Sequence, residues 1–292
     1  MHPRNIHEKQ YNIIQLVKAD PELEKYIITN KNRILTINFS IPDAVKELNR
    51  ALLMKYYDIE YWDIPNGYLC PPVPGRSDYI HHLADLIQSD NDIKKNKNIR
   101  CLDIGMGANC IYPIVGAKLY GWDFVGTDID ERAIDSAQRV IDRNEWLHDK
   151  VELRHQKFQH LIFDTVVKPE DRFDITMCNP PFYKSRQDAK LATVKKNKNL
   201  KSSISSKPVN NFRGKANELW CNGGERKFIL NMIEESRKYS DQIRWFTTLV
   251  ASKYHLNSFY RALQKIPGAK HQTIEMLHGH KKSRILAWRY EV

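Results

Sequence analysis

The tetrapeptide Asn179-Pro180-Pro181-Phe182 carries the most specific chemistry in this chain. It follows Phe173-Asp174-Ile175-Thr176-Met177-Cys178, a short apolar run that reads as a buried strand closed by a turn. An exocyclic amino group such as adenine N6 has its lone pair delocalised into the ring and is a poor nucleophile. Two acceptors at fixed positions would hold its two N–H groups and aim the lone pair at a methyl donor. The Asn179 side-chain oxygen and the Pro180 carbonyl can supply that pair, because proline fixes φ and offers only an acceptor. Phe182 would then stack on the base. A strand followed by a proline turn accounts for the same residues without any chemistry, so the weight of the turn depends on what accompanies it.

A second constellation lies upstream. Ile99-Arg100-Cys101-Leu102-Asp103-Ile104 is another short apolar strand, followed at once by Gly105-Met106-Gly107-Ala108-Asn109. Glycines directly after a strand let the backbone turn sharply and approach a ligand. Trp122 to Thr127 gives a further strand, and Asp128 lies 21 residues beyond Gly107. An acid at that distance binds ribose hydroxyls at the end of the second strand of an open α/β sheet; alternatively, Asp128 caps the next helix. That helix, Glu131 to Asn144, carries Ala133, Ile134, Ala137, Val140 and Ile141 at helical spacing. The P-loop pattern is missing. The dinucleotide fingerprint would require glycine at position 110, which is Cys110, so NAD fits less well than S-adenosylmethionine, which has no pyrophosphate. Asp103, inside the first strand, would hold the glycine loop or approach the amino group of the donor.

These sites require an alternating α/β fold with a mostly parallel sheet. Glu225 to Tyr239 reads as an amphipathic helix, Ile243 to Val250 as a strand, and His271 to Met276 with Ile285 to Val292 as a closing pair that makes an antiparallel C-terminal edge. Residues 1–95 form a helical N-terminal extension to a domain spanning 96–292. In the extension, Pro42 to Tyr57 has Val45, Leu48, Leu52 and Leu53 on one side, with Ser40 as a candidate cap, and Tyr79 to Ile87 is a further short helix. Tyr56, Tyr57, Tyr61, Trp62 and Tyr68 cluster there near Arg50, Lys55 and Arg76; such aromatics either stack on unpaired RNA bases or belong to the core.

The whole chain resembles the bacterial 23S ribosomal RNA adenine-N6 methyltransferases of the large-subunit methyltransferase F type, which have a eukaryotic relative acting on adenine in small nuclear and messenger RNA. The resemblance runs from His2-Pro3-Arg4-Asn5 to Ala287-Trp288. It includes Trp62-Asp63-Ile64-Pro65, Leu69 to Arg76, Asp78 to Leu83, Leu102 to Pro113, Cys178 to Phe182, Glu218-Leu219-Trp220-Cys221 with Gly223-Gly224-Glu225, and Trp245-Phe246-Thr247. It implies a Rossmann-like class I methyltransferase fold that uses S-adenosylmethionine to methylate one adenine. By position, Arg76 resembles the arginine that approaches the donor carboxylate from the N-terminal segment. Gly105 and Asp128 match the donor-loop and ribose positions, Asn179 the residue shared by donor and base, and Phe182 the stacking aromatic. Tyr183 departs from the pattern, since bacterial relatives often carry His there. The same turn occurs in enzymes that methylate glutamine in translation factors and in DNA adenine methyltransferases. A non-catalytic ribosome-assembly protein is a further alternative.

The charge distribution agrees with an RNA partner. From Lys184 to Lys215, ten Lys or Arg stand against the single acid Asp188, a net of +9 out of +11 for the chain. The stretch reads as a mobile basic loop in which Lys195, Lys196, Lys198 and Lys201 would contact phosphates of 23S RNA, free or in an assembly intermediate. The composition gives no run of 18 apolar residues and no signal-peptide pattern, so the expectation is a soluble, cytoplasmic monomer. The five cysteines, Cys70, Cys101, Cys110, Cys178 and Cys221, have no Cys-x-x-Cys spacing and read as reduced thiols; no metal site is expected, His81-His82 included, since adjacent residues do not share a helix face.

Overall fold

The protein is described by a computed structural model covering residues 1–90, 98–185, 187, 220–278 and 281–291. A seven-stranded sheet forms its centre, in the order β5 (Val151–His155), β4 (Asp123–Asp128), β3 (Arg100–Ile104), β6 (Phe173–Cys178), β7 (Ile243–Val250), β9 (Lys281–Tyr290), β8 (Ala269–His278). A separate hairpin of β1 (Ile27–Thr29) and β2 (Leu35–Ile37) precedes it in the chain. The first five strands of the sheet run parallel, and β9 pairs antiparallel with both β7 and β8. From β3 the chain winds outward through β4 to β5, then returns to place β6 on the other side of β3. That reversal opens a crevice at the carboxyl ends of β3 and β6, where ligands bind in open α/β sheets.

The burial pattern explains the parallel strands. Cys101, Leu102, Asp103 and Ile104 of β3 are all buried, as expected of a strand covered on both faces. Helix α4 (Ile111–Tyr120) is buried along Ile111 to Ala117 and packs so closely on β4 that a Cβ at Gly116 would meet Phe124 Cζ at 2.4 Å. Helix α5 (Glu131–Asp142) turns Ala133, Ala137, Val140 and Ile141 inward, as its spacing requires. Helices α6 (Gly224–Ser236) and α7 (Leu256–Gln264) cover the other end of the sheet with Ile229, Met232, Ile233, Phe259 and Leu263.

The N-terminal residues are α1 (Ile13–Ala19), α2 (Pro42–Tyr57) and α3 (Val73–Ser89) with their connections. Leu52, Tyr57 and Trp62 share one apolar core with Ile114, Val115 and Phe124. Asn144, just beyond α5, fastens this layer: its side chain accepts from the amides of Glu60 and Tyr61 and donates to the Tyr61 carbonyl. Two local readings change. Ile41 rather than Ser40 occupies the cap position of α2 and makes no side-chain bond; Pro42 opens the helix instead. Helix α3 starts at Val73, six residues before the expected Tyr79, because Pro74 lies in the first turn where no amide hydrogen is needed. Tyr57, Trp62 and Tyr68 are core residues, with the Trp62 indole donating to the Asn109 carbonyl at 2.8 Å.

Candidate active site

Ile104 of β3 pairs with Cys178 of β6, so Gly105 and Asn179 leave the sheet side by side. Gly105 and Gly107 take φ of +69° and +75°, a region open to glycine at no steric cost. A Cβ on Gly105 would meet nothing within 4 Å; its open side faces the crevice. The loop is held from β4: the Met106 amide donates to the Thr127 carbonyl at 2.9 Å, and the Gly107 amide donates to Asp128 Oδ2 at 2.9 Å. Asp128 Oδ1 accepts from the Asp130 amide. The helix cap is therefore Asp130, whose Oδ1 takes the Arg132 amide, and Asp128, a lining residue of the cavity, keeps lone pairs beyond those its backbone bonds use.

One cavity joins these groups. Its walls include Arg76, Gly105, Gly107, Asp128, Asn179 and Pro181. Arg76, in the first turn of α3, donates to the Tyr112 hydroxyl at 2.8 Å and lies over that ring. The longer α3 thus gives Arg76 a rigid mount. Three side chains of this region have buried polar atoms without a partner among the described residues: both carboxylate oxygens of Asp103, Asn179 Oδ1 and Trp220 Nε1. Burial pushes the Asp103 carboxyl up to about 8, against the pull of the Arg76 guanidinium and with help from the Asp128 charge. Burial also raises Asp128, opposed by its bonds to backbone amides. Unpaired buried groups cost stability and call for an explanation; a ligand with complementary donors and acceptors completes them.

Of the residues singled out in the sequence, Arg76, Gly105, Gly107, Asp128, Asn179 and Pro181 converge on the cavity. Asp103, in the C-terminal half of β3, and Pro180, within the turn, are buried and are not part of the cavity lining. Phe182 lies on the other side, lining a neighbouring recess with Glu225, Tyr254, His255, Lys282 and Arg284. Lys195, Lys196, Lys198 and Lys201 lie outside the described residues. Gly223 and Gly224, with φ of +86° and +64°, form the turn into α6, and a Cβ on Gly224 would stand 3.2 Å from the Lys184 amide nitrogen. Tyr112, Gln156 and Trp220 also line the cavity, and no motif in the sequence marks them as site residues. Gln156 directly follows β5, and its place at a strand end is the signal that could have found it. Among the described residues no helix is long and apolar enough to cross a membrane, and no group of three or more His, Cys, Asp or Glu could hold a metal ion.

Comparison with known proteins agrees with this architecture. Residues 1–291 match the model of a family described as RNA methyltransferase. The chain is 48% identical to the ribosomal RNA large subunit methyltransferase F of Bacteroides thetaiotaomicron, over 99% of this chain and 97% of that protein. The Flavobacterium johnsoniae protein of the same name is 50% identical, over 99% of this chain and 93% of that protein. Among solved structures, the catalytic domain of hMettl16 in complex with MAT2A 3′UTR hairpin 1 superposes with a TM-score of 0.80 at 28% identity, covering 100% of this chain and 96% of that one. The N-terminal domain of human METTL16 in complex with SAH gives 0.76 at 27% identity, covering 100% and 99%. The seven-stranded, mostly parallel sheet with its antiparallel edge is thus the Rossmann-like fold of a class I methyltransferase. The chain belongs to the RNA methyltransferase family, with the ribosomal RNA large subunit methyltransferases F as its relatives.

Proposed function

We propose that this protein methylates N6 of one adenine in 23S ribosomal RNA, with S-adenosylmethionine as the donor. The observation that carries the reading is the buried, unpartnered Asn179 Oδ1 at the end of β6, beside the open face of Gly105. An acceptor in that state matches an amino group that must be held by its N–H bonds. The names of the relatives favour ribosomal RNA as the acceptor, and the METTL16 complexes with SAH and with an RNA hairpin favour this donor and an RNA substrate.

The cavity residues fit the donor. Its carboxylate suits Arg76, its ribose hydroxyls suit the remaining lone pairs of Asp128, and the open side of Gly105 leaves room for close approach; Asp103, buried one residue before the lining residue Ile104 with both oxygens unpartnered, supplies the carboxylate that complements the donor's cationic groups. When bound, S-adenosylmethionine supplies an electrophilic methyl group. Asn179 Oδ1 and the Pro180 carbonyl take the two N6 hydrogens and turn the lone pair toward the donor side of the cavity, while the two prolines keep the turn stiff. Phe182 bounds the base from the side of its recess. Proximity and orientation supply most of the acceleration. A nitrogen that gains a fourth bond is strongly acidic and releases its proton to water, so no strong base is required. The target adenine leaves its stack to enter the site. Lys195, Lys196, Lys198 and Lys201 hold phosphates around it, residues 1–95 cover the donor and contact RNA, and the enzyme acts as a monomer on free RNA or an assembly intermediate.

The test is methyl transfer from labelled S-adenosylmethionine to unmodified 23S RNA, with DNA and total protein as parallel acceptors, followed by nucleoside analysis. N6-methyladenosine in the RNA alone is the expected result. Label in protein would instead favour glutamine methylation, and a different modified nucleoside would overturn the assignment of N6.

A further inference from the structure

The indole N–H of Trp220 is the second orphan at the turn. It is buried, it has no partner among the described residues, and an indole nitrogen can only donate. Trp220 lines the same cavity as Asn179 and Pro181. Its backbone is tied to the turn: Tyr183 and Trp220 form a parallel bridge, and the Cys221 amide donates to the Tyr183 carbonyl at 3.1 Å. Gly224, packed on Lys184, fixes the same junction from the α6 side. Trp220 is therefore held at the turn that carries Asn179, whereas Gly105, Gly107 and Asp128 belong to the β3–β4 end of the cavity.

One unpaired acceptor, Asn179 Oδ1, and one unpaired donor, Trp220 Nε1, thus sit buried on two residues that line a single cavity. Adenine offers the complement along its Watson–Crick edge, a donor at N6 and an acceptor at N1. Guanine offers the reverse, an acceptor at O6 and a donor at N1. We infer, resting on the adenine-N6 reading above, that Trp220 reads the base: its N–H donates to N1 of the target adenine while Asn179 accepts from N6. A guanine in the same position sets donor against donor and acceptor against acceptor. A site with buried polar groups discriminates strongly against a ligand that leaves them unpaired. Cytosine repeats the pattern at N3 and N4 with one ring fewer, so the pair separates the two purines and leaves the pyrimidine to be distinguished by the contacts its missing ring cannot make.

The inference is tested with the full chain and 23S RNA carrying adenosine or 1-deazaadenosine at the mapped target position, comparing wild type with Trp220→Phe. Replacing N1 by C–H removes the acceptor, and Phe removes the donor. Each change alone should lower kcat/KM by roughly 10- to 100-fold, and the variant should be nearly indifferent to the nucleoside. Affinity for S-adenosylmethionine, measured by calorimetry, should stay within about threefold. Losses that simply multiply would make the role of Trp220 structural and overturn the inference, as would a loss of donor binding equal to the loss of rate. Should Trp220→Phe fail to fold, the wild type decides: full turnover of 1-deazaadenosine RNA refutes the N1 contact. Failure to methylate the adenosine RNA itself refutes the N6 reading and the inference with it, a result distinct from full turnover of the deaza substrate.

Discussion

Replacing Asp103 by Asn should make the donor-free protein more stable while disabling it. The carboxyl is fully buried, both oxygens lack partners, and burial raises it from 3.8 to about 8. A carboxyl raised in the folded state gives stability that is fully present below about pH 4 and is lost as pH rises toward 8, because the unfolded chain releases a proton that the folded chain retains. Each unit of that interval is worth about 1.4 kcal/mol, so by pH 7 the loss reaches about 4 kcal/mol. Asn carries no titrating proton and removes this dependence, although its amide still meets the same missing partners, so about 4 kcal/mol is the ceiling of the gain. At about 2 °C per kcal/mol for a chain of this size, Tm at pH 7 should rise by up to about 8 °C. Thermal unfolding from pH 4 to pH 8 reads the effect: wild type and Asp103→Asn converge at the acid end and separate toward neutrality. S-adenosylmethionine should raise Tm of the wild type and barely move that of the variant, since on the proposed function the unpaired carboxylate would be the counterpart of the donor cations. A gap that does not change with pH would refute the linkage, and an undiminished donor shift in the variant would refute the role of Asp103.

The affinity of the wild type for S-adenosylmethionine should rise from pH 6 to about 8, by up to tenfold per unit, and then level off, because a cationic ligand favours the ionised Asp103; isothermal titration in buffers of different ionisation enthalpy should show a proton released on binding. Asn179→Ala should bind the donor nearly as well as the wild type and transfer methyl at less than about 1% of its rate, read by single-turnover labelling; near-normal turnover would sink the orientation mechanism. Changing Lys195, Lys196, Lys198 and Lys201 together to Gln should reduce the slope of log affinity for RNA against log salt by about 3 and leave donor binding alone; an unchanged slope would remove these lysines from the phosphate contacts. Gly116→Ala, which sets a methyl 2.4 Å from Phe124, should lower stability by about 1–3 kcal/mol in denaturant titration, with activity per folded molecule retained.

The strands that end in chemistry were legible because their signal is local. Phe173 to Cys178 and Ile99 to Ile104 are apolar runs closed by turn residues, and the structure has β6 and β3 there. The sequence pattern starts α3 too late, since Pro71-Pro72-Val73-Pro74-Gly75 resembles a break until the first-turn tolerance for proline is applied. Arg76 was reached through the resemblance alone; no spacing brings a residue of the N-terminal layer to a cavity at the carboxyl ends of β3 and β6. Trp220 was harder still, because it stands 41 residues beyond Asn179 and meets the turn through one backbone bridge to Tyr183.

Phe182 shows what a motif cannot state. Neighbouring side chains of an extended segment face opposite sides, and here Pro181 faces the cavity while Phe182 faces the recess of Glu225 and Tyr254. The tetrapeptide names an acceptor and an aromatic; only the backbone direction decides that the two stand on different sides of the turn. That separation has chemical content. On the proposed function, an amino group held at Asn179 would direct its lone pair along the cavity toward Gly105, and the ring bearing it would lie across the turn. By the same proposal, the aromatic of the motif would meet the base from the recess side of the turn, and the buried donor of Trp220 would meet it from the cavity side, where water no longer competes.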